Sequence, residues 1–232
     1  MNVRPSPLVA LAALAALLSS LACGGSSDSG SSSPPPSGQA RISYVALGDS
    51  TGFGVGALPG DGGYPPRLAR RLREAGHTVS LANLSVPGAD AADLAGVQLE
   101  AIAVHAPTLV TVCVGSNDVD RTPAEFAADL DAILAKVTSL GARVVVCNVP
   151  DVSLTPKYES DPGAAARVVA LNVELTRLAA ARNVPVADIY QVSQRVFAEP
   201  GLLSIDGFHP SAAGYELWAE AMLPVVTGVL GL

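Results

Sequence analysis

The chain has 232 residues, a formal net charge of −7 and only three cysteines. An acidic chain whose arginines form no basic stripe is not expected to bind nucleic acid. Residues 41–232 have the ordinary size of one domain.

Residues 1–22 have the pattern of a bacterial export signal. A charged start is followed by an apolar run from Leu8 to Leu18 and then by "SSLAC". That run is shorter than the about 20 residues that cross a bilayer. Cys23 directly follows the small residues and predicts a lipoprotein cleavage site with a lipidated N-terminus, and the alternative is an ordinary signal peptide cut nearby. Residues 23–40 are rich in Ser, Gly and Pro, so we expect a flexible linker.

After the linker, short apolar runs alternate with helical patterns. The predicted strands are 42–47, 78–83, 108–114, 143–149 and 184–189. The predicted helices are 64–76, 90–106, 122–142, 161–183 and about 211–226. This alternation indicates an α/β fold with a doubly wound, five-stranded parallel sheet and helices on both faces. In such sheets a ligand binds outside the carboxyl ends of the strands, so the residues that follow each strand are the candidates for function.

Cys113 and Cys147 fall in two strands that are expected to be neighbours. Parallel neighbours rarely give good disulfide geometry, so two buried free thiols are expected, although an exported protein could oxidise them. Neither cysteine has a C-x-x-C partner or a clustered histidine, and no metal site is predicted. The arginines of "RLARRLRE" (67–74), with Glu74 beside them, are expected to form a solvated helix face.

The stretch "ALGDSTGFGVGA" (46–57) follows the first strand and fits three patterns. A dinucleotide turn must lead straight into a helix, whereas these glycines lead into "LPGDGGYPP". The G-x-S-x-G elbow of α/β-hydrolases follows a mid-sheet strand, whereas here the serine follows the first. The third pattern, Gly-Asp-Ser at a strand end, leaves Ser50 as a candidate nucleophile.

A serine nucleophile needs a base that is itself oriented. His77 and His105 lie at helix ends and are expected to be surface or capping residues. His209 lies in "SIDGFHPSAAG" just before the last helix, three residues after Asp206. That offset lets a carboxylate reach one ring nitrogen while the other faces outward. A solvated turn and cap is the alternative.

A tetrahedral intermediate also needs donors for its oxyanion. Gly88 follows the second strand in "NLSVPGAD", and Asn117 follows the third in "VCVGSNDVD". Together with the N–H of Ser50 they would supply three donors from adjacent strand ends. Each alone is an ordinary turn residue. Five candidates in this order along the chain are hard to assign to turns alone, namely Ser50, Gly88, Asn117, Asp206 and His209.

These motifs resemble the GDSL/SGNH hydrolases. "GDS" (48–50), "NLSVPG" (83–88), "GSND" (115–118) and "DGFHP" (206–210) resemble the family's four blocks in order. The chain departs from the family at Thr51, where leucine is common, and at Pro87. Within the family the chain is similar to the lysophospholipase and thioesterase-like arylesterases.

The resemblance implies a flavodoxin-like three-layer α/β/α sandwich over residues 41–232. It implies a catalytic triad of Ser50, His209 and Asp206 and an oxyanion hole formed by Ser50, Gly88 and Asn117. It further implies hydrolysis of carboxylic esters through an acyl-enzyme, with "NVPDVS" (148–153) flanking the acyl pocket. The expected substrate is a small-molecule ester: a short-chain acyl ester, a lysophospholipid or a thioester.

No cofactor or metal is expected, and the chain is expected to be a monomer. Membrane contact is expected only through the lipid anchor, and the protein is expected to be exported either to the cell envelope (outer membrane or periplasm) or into the medium as a secreted protein. Two alternatives stay open: an esterase of O-acetylated carbohydrates, and a non-catalytic envelope lipoprotein that binds sugars or lipids.

Overall fold

The computed structural model describes residues 39–57 and 62–232. The predicted signal peptide, Cys23 and nearly all of the predicted linker lie outside the described residues. Within those two ranges, no helix has both the length and the apolar character that crossing a bilayer would require.

Five parallel strands form one sheet in the order β2-β1-β3-β4-β5. The strands are β1 (Arg41–Gly48), β2 (Thr78–Asn83), β3 (Leu109–Cys113), β4 (Arg143–Cys147) and β5 (Val186–Ala187). This is the strand order of flavodoxin-like folds. The predicted sheet and fold class are therefore confirmed.

In the part of the chain that the structure describes, eight α-helices surround the sheet. They are α1 (Ser50–Phe53), α2 (Tyr64–Glu74), α3 (Ala91–Asp93), α4 (Leu99–Ala101), α5 (Pro123–Ser139), α6 (Ala164–Ala181), α7 (Ile189–Ala198) and α8 (Ala212–Leu230). A π-helical turn (Leu94–Gln98) joins α3 to α4, and a 3₁₀ turn (Ile102–His105) follows α4. The predicted helix 90–106 is therefore real but irregular.

Each face of the sheet has its own core, because side chains alternate along a strand. In β1, Val45 and Leu47 face α5, α6 and the 91–102 segment, whereas Tyr44 and Ala46 face α2, α7 and α8. Helices therefore cover both faces, as the predicted three-layer sandwich requires.

Helix α7 was not predicted. The expected fifth strand ran to residue 189, but β5 ends at Ala187 and Asp188 caps α7 by accepting a hydrogen bond from the N–H of Gln191. By contrast, the start of α5 agrees with the prediction, because Thr122 and Glu125 form a reciprocal capping box.

Cys113 and Cys147 form a disulfide, so the expectation of two free thiols is wrong. Val112 pairs with Val146 in the β3–β4 register, which sets the two cysteines side by side on one face of the sheet. Their Cα atoms are 4.9 Å apart, within the range that a disulfide spans.

The arginines of α2 are not simply a solvated face. Arg67 is only 3% exposed, and its guanidinium is 2.5 Å from a carboxylate oxygen of Glu216 on α8. Arg70 and Arg71 bind the same carboxylate at 2.5 and 3.0 Å. The cluster of Arg67, Arg70, Arg71 and Glu216, called here the α2–α8 ion cluster, joins two helices across the outer layer.

Candidate active site

Ser50 lies where β1 ends and α1 begins. Asp49 caps α1, and its Oδ1 accepts hydrogen bonds from the Thr51 N–H at 2.9 Å and the Thr51 hydroxyl at 2.7 Å. Burial raises the pKa of the Asp49 carboxyl, although the hydrogen bonds from Thr51 oppose the shift. This rigid turn holds Ser50, which is 6% exposed, at the carboxyl edge of the sheet.

His209 approaches Ser50 from the loop before α8. Its Nε2 is 2.8 Å from the Ser50 Oγ, although 159 positions separate the two residues. Its Nδ1 is 2.7 Å from the Asp206 Oδ2. The structure thus brings the three predicted triad residues together in one chain of hydrogen-bond contacts.

Asp206 is held in place by donors other than His209. Its Oδ1 accepts from the Ser204 hydroxyl at 2.6 Å and from the N–H groups of Phe208 and His209 at 2.9 Å each. Burial alone would raise the pKa of Asp206, but these hydrogen bonds and the one from the His209 ring hold it well below its ordinary value. The carboxylate therefore stays ionised beside the imidazole.

Close packing joins the two ends of the folded chain at this site. Gly56 has a φ of +91°, and a Cβ there would lie 2.6 Å from the Pro210 carbonyl oxygen and 3.0 Å from the His209 Cβ. The Tyr215 hydroxyl on α8 donates to the Val55 carbonyl at 2.8 Å. The loop after α1 therefore supports the loop that carries His209.

Gly88 and Asn117 lie in adjacent loops at the same edge. Gly88 has a φ of +83°, and a Cβ there would meet no atom within 4 Å. The Asn117 side-chain amide donates to the Ala89 carbonyl at 2.9 Å, and the Val86 N–H donates to the Gly48 carbonyl at 3.0 Å. These two bonds connect the Gly88 loop to the ends of both β1 and β3.

Asp118, beside Asn117, is a buried carboxylate for which the sequence suggested no role. It accepts from the Ala91 N–H at 3.2 and 3.1 Å and from the Arg121 guanidinium at 2.8 Å. Burial raises its pKa to about 6 against these hydrogen bonds. Asp118 thus fixes the start of the helix that follows Gly88, and the arginine three residues later was the available sequence signal.

The other two histidines lie at the amino ends of the strands, away from Ser50. His77 precedes β2, and its Nδ1 accepts from the Ala40 N–H at 3.2 Å. The backbone carbonyl of His105 accepts from the Ser43 hydroxyl at 2.9 Å.

The segment after β4 reaches the His209 loop. A Cβ on Gly207 would lie 3.3 Å from the Pro156 ring, and the Lys157 ammonium is 5.3 Å from the centre of the Phe208 ring. Asp151, inside the predicted pocket segment 148–153, is itself buried and receives a hydrogen bond from Ser153.

Residues 46–217 match the model of the GDSL-like Lipase/Acylhydrolase family. The chain belongs to this family. It is therefore a serine hydrolase of the GDSL type that acts on ester bonds.

Individual relatives agree with this membership. The chain is 24% identical over 193 residues to Esterase TesA of Pseudomonas aeruginosa, covering 82% of this chain and 90% of TesA. A crystal structure of TesA aligns with a TM-score of 0.68 and 25% identity over 80% of this chain and 98% of TesA. A lipase/acylhydrolase from Enterococcus faecalis aligns with a TM-score of 0.63 and 25% identity over 80% and 95% of the two chains.

The fold extends to carbohydrate-active enzymes. The acetyl xylan esterase AlAXEase aligns with a TM-score of 0.65 and 21% identity over 79% of this chain and 99% of its own length. At that identity the likeness concerns the fold alone.

No group of three or more His, Cys, Asp or Glu side chains within residues 39–57 and 62–232 is arranged to hold a metal ion.

Proposed function

We propose that this family member hydrolyses carboxylic esters through a covalent acyl-enzyme formed on Ser50. In the first step, the Ser50 Oγ attacks the acyl carbonyl carbon while His209 Nε2 takes the hydroxyl proton. Asp206 keeps the other ring proton on Nδ1 and stabilises the imidazolium that forms. The carbonyl oxygen becomes an oxyanion that accepts hydrogen bonds from the N–H groups of Ser50 and Gly88 and from the Asn117 amide.

The intermediate then collapses and the ester C–O bond breaks. His209 gives its proton to the leaving alcohol, and the acyl group stays on Ser50. In the second half, His209 deprotonates a water molecule that attacks the acyl-enzyme, and the proton returns to Ser50 as the carboxylic acid leaves. Every proton is moved by one imidazole, so the chemistry of the ester needs no added cofactor.

The observation that carries the proposal is the 2.8 Å approach of His209 Nε2 to the Ser50 Oγ, with Asp206 at 2.7 Å from the opposite ring nitrogen. Such an arrangement has the nucleophile within hydrogen-bond reach of a base that a third group orients.

Replacing Ser50 tests the assignment. Ser50→Ala should lower kcat by about 10⁴-fold or more, because only binding and oxyanion contacts would remain. Ser139→Ala is the matched control, since the Ser139 hydroxyl lies at the end of α5, where it donates to the Lys136 carbonyl. Undiminished ester hydrolysis by folded Ser50→Ala would refute the proposal.

A fluorophosphonate probe separates this proposal from a non-catalytic lipoprotein that binds sugars or lipids. Covalent labelling at Ser50, found by peptide mass spectrometry and absent from Ser50→Ala, is expected of the hydrolase. A native chain that stays unlabelled would favour the binding protein.

The proposed substrates are short-chain acyl esters, lysophospholipids or thioesters. A cavity of about 300 Å³ lies beside Gly88, and its lining includes the exposed side chains of Val86 and Val97. The lining is mostly apolar, although it also includes Asp93 and Gln98, and apolar surface next to an oxyanion donor favours an acyl chain over a sugar. The substrate class can be decided by comparing kcat/KM for p-nitrophenyl esters of increasing length, a lysophospholipid, an acyl thioester and acetylated xylan. The highest kcat/KM on acetylated xylan would favour the carbohydrate esterase.

We also propose that the protein is exported and held in the cell envelope by lipid on Cys23, which would tether a monomeric catalytic domain through residues 23–40. Labelled fatty acid should enter the native chain and not Cys23→Ala in a bacterial host. Release of an unlabelled native chain into the medium would favour an ordinary signal peptide.

A further inference from the structure

Gln98 makes an unusual pair of contacts beneath the candidate active site. It is 2% exposed and is the last residue of the π-helical turn that follows the Gly88 loop. Its Oε1 accepts from the Gly48 N–H at 2.9 Å, and its Nε2 donates to the Gly48 carbonyl at 2.7 Å. One side-chain amide thus satisfies both backbone polar groups of Gly48.

These contacts replace strand pairing on one side of β1, beyond the point where β2 ends. Strand β1 pairs with β2 only as far as Ala46 and Asn83. Gly48 lies two residues beyond that pair, and its carbonyl also accepts from the Val86 N–H. Because the N–H and C=O of one strand residue point to the same side, the Gln98 amide takes the place of a peptide group on the β2 side.

The opposite side of Gly48 is closed by β3. A Cβ on Gly48 would lie 2.2 Å from the Cys113 carbonyl oxygen, so the Gly48 backbone packs against β3 more closely than a residue with a side chain could. Gly48 is therefore clamped between β3 and the Gln98 amide, two residues before Ser50.

The segment that delivers Gln98 also carries Gly88. The start of this segment is held by the loop after β3, because Asp118 accepts from the Ala91 N–H and Asn117 donates to the Ala89 carbonyl. Gln98 connects the other end of this segment to β1 through its hydrogen bonds to Gly48. The π-helical turn is a widened turn of a kind that often occurs near functional sites.

We infer that Gln98 is a positioning residue that sets the nucleophile end of β1 at a fixed distance from the Gly88 N–H. The inference rests on the proposed roles of Ser50 and Gly88. An oxyanion donor acts through geometry, and a displacement of about 1 Å can cost about 10²-fold in rate. Loss of the clamp should therefore lower kcat more than it raises KM.

Two replacements and one control test this role. Gln98→Met keeps the length of the side chain and removes both hydrogen bonds. Gln98→Glu keeps both only when its carboxyl is protonated, because a neutral acid accepts through C=O and donates through O–H. Gly96→Ala changes the same π-helical turn without touching Gly48, since a Cβ there meets no atom within 4 Å.

We expect Gln98→Met to lower kcat at least about tenfold with KM within about twofold, as for lost orientation, and Gly96→Ala to match the native protein. The activity of Gln98→Glu relative to the native protein should rise as the pH falls, whereas the relative activity of Gln98→Met should stay constant with pH. Burial disfavours the charged carboxylate. Asp93, which lines the cavity beside Gly88 together with Gln98, and Asp49, which follows Gly48, favour the neutral form as well.

A Gln98→Met protein with native kcat, or a Gln98→Glu protein whose relative activity does not change with pH, would overturn the inference. If Gln98→Met does not fold, the pH response of Gln98→Glu still decides. Fluorophosphonate labelling of the native chain reports on Ser50 independently, so failure of the proposed function is distinguishable from failure of the clamp.

Discussion

Replacing Asp206 by asparagine tests the orientation of His209. Three donors converge on the Asp206 Oδ1, namely the Ser204 hydroxyl and two backbone N–H groups. The amide oxygen of asparagine must occupy that position, because an NH₂ group there would face three donors. The NH₂ group then takes the position of Oδ2, 2.7 Å from the His209 Nδ1.

That placement reverses the tautomer of the imidazole. An NH₂ group can only donate, so Nδ1 must give up its proton and Nε2 must carry it. Nε2 then faces the Ser50 hydroxyl as a donor and cannot accept its proton. In serine proteases the equivalent change lowers kcat by about 10⁴-fold, which corresponds to about 5 kcal/mol of transition-state stabilisation.

The assay is steady-state hydrolysis of a p-nitrophenyl ester. Asp206→Asn should lose about 10⁴-fold in kcat and keep its fold by circular dichroism, because the three Oδ1 contacts persist. Asp131→Asn is the control, since this exposed carboxylate on α5 pairs with Arg182 at 2.6 Å. An Asp206→Asn protein that retains more than about a tenth of the native kcat would show that His209 does not depend on Asp206 for its tautomer.

Three further replacements test the oxyanion donor, the disulfide and the α2–α8 ion cluster. Asn117→Ala should lower kcat by about 10²- to 10³-fold with little change in KM, and a change confined to KM would contradict its role as a donor. The double variant Cys113→Ala/Cys147→Ala should lose roughly 3–4 kcal/mol of unfolding free energy in urea, because the bridge closes a loop of sequence separation 34. Equal urea midpoints for the double variant and the native protein, measured without reductant, would refute a stabilising role of the disulfide. Burial would raise the pKa of Glu216, but its arginine partners lower it to about 2, so its stabilisation is present above the unfolded pKa and is lost as the pH falls toward 2. Glu216→Gln should therefore have a lower free energy of unfolding than the native protein near pH 6. This difference should narrow as the pH falls from about 4.3 to 2, and a difference that does not change with pH would contradict the role of the Glu216 charge.

Much of the fold could be predicted from local patterns. The five apolar runs of the sequence correspond to the five strands of the sheet, and the predicted helix start at residue 122 is the observed cap of α5. Helix α7 was missed because the apolar run at 184–189 continues directly into its first turn. The cap at Asp188 marks the boundary only once the helix is known.

Part of the candidate site could be predicted from the sequence. Ser50, Asp206 and His209 were chosen from short motifs, and the structure brings their side chains within hydrogen-bond distance, while their catalytic roles stay predictions. Ser204 could have been found from its position two residues before Asp206. Gln98 could not, because its partners are backbone atoms of Gly48, which leave no trace in side-chain chemistry.

The sequence by itself determined the order of strands and helices, the family and the residues with reactive side chains, because these depend on periodicity and motifs within short stretches. Only the tertiary structure decided the Cys113–Cys147 bridge, the burial of Arg67 against Glu216 and the clamp on Gly48, which join residues 34, 149 and 50 positions apart. Contacts at such separations depend on strand register and helix packing, and the order of residues along the chain does not encode them locally.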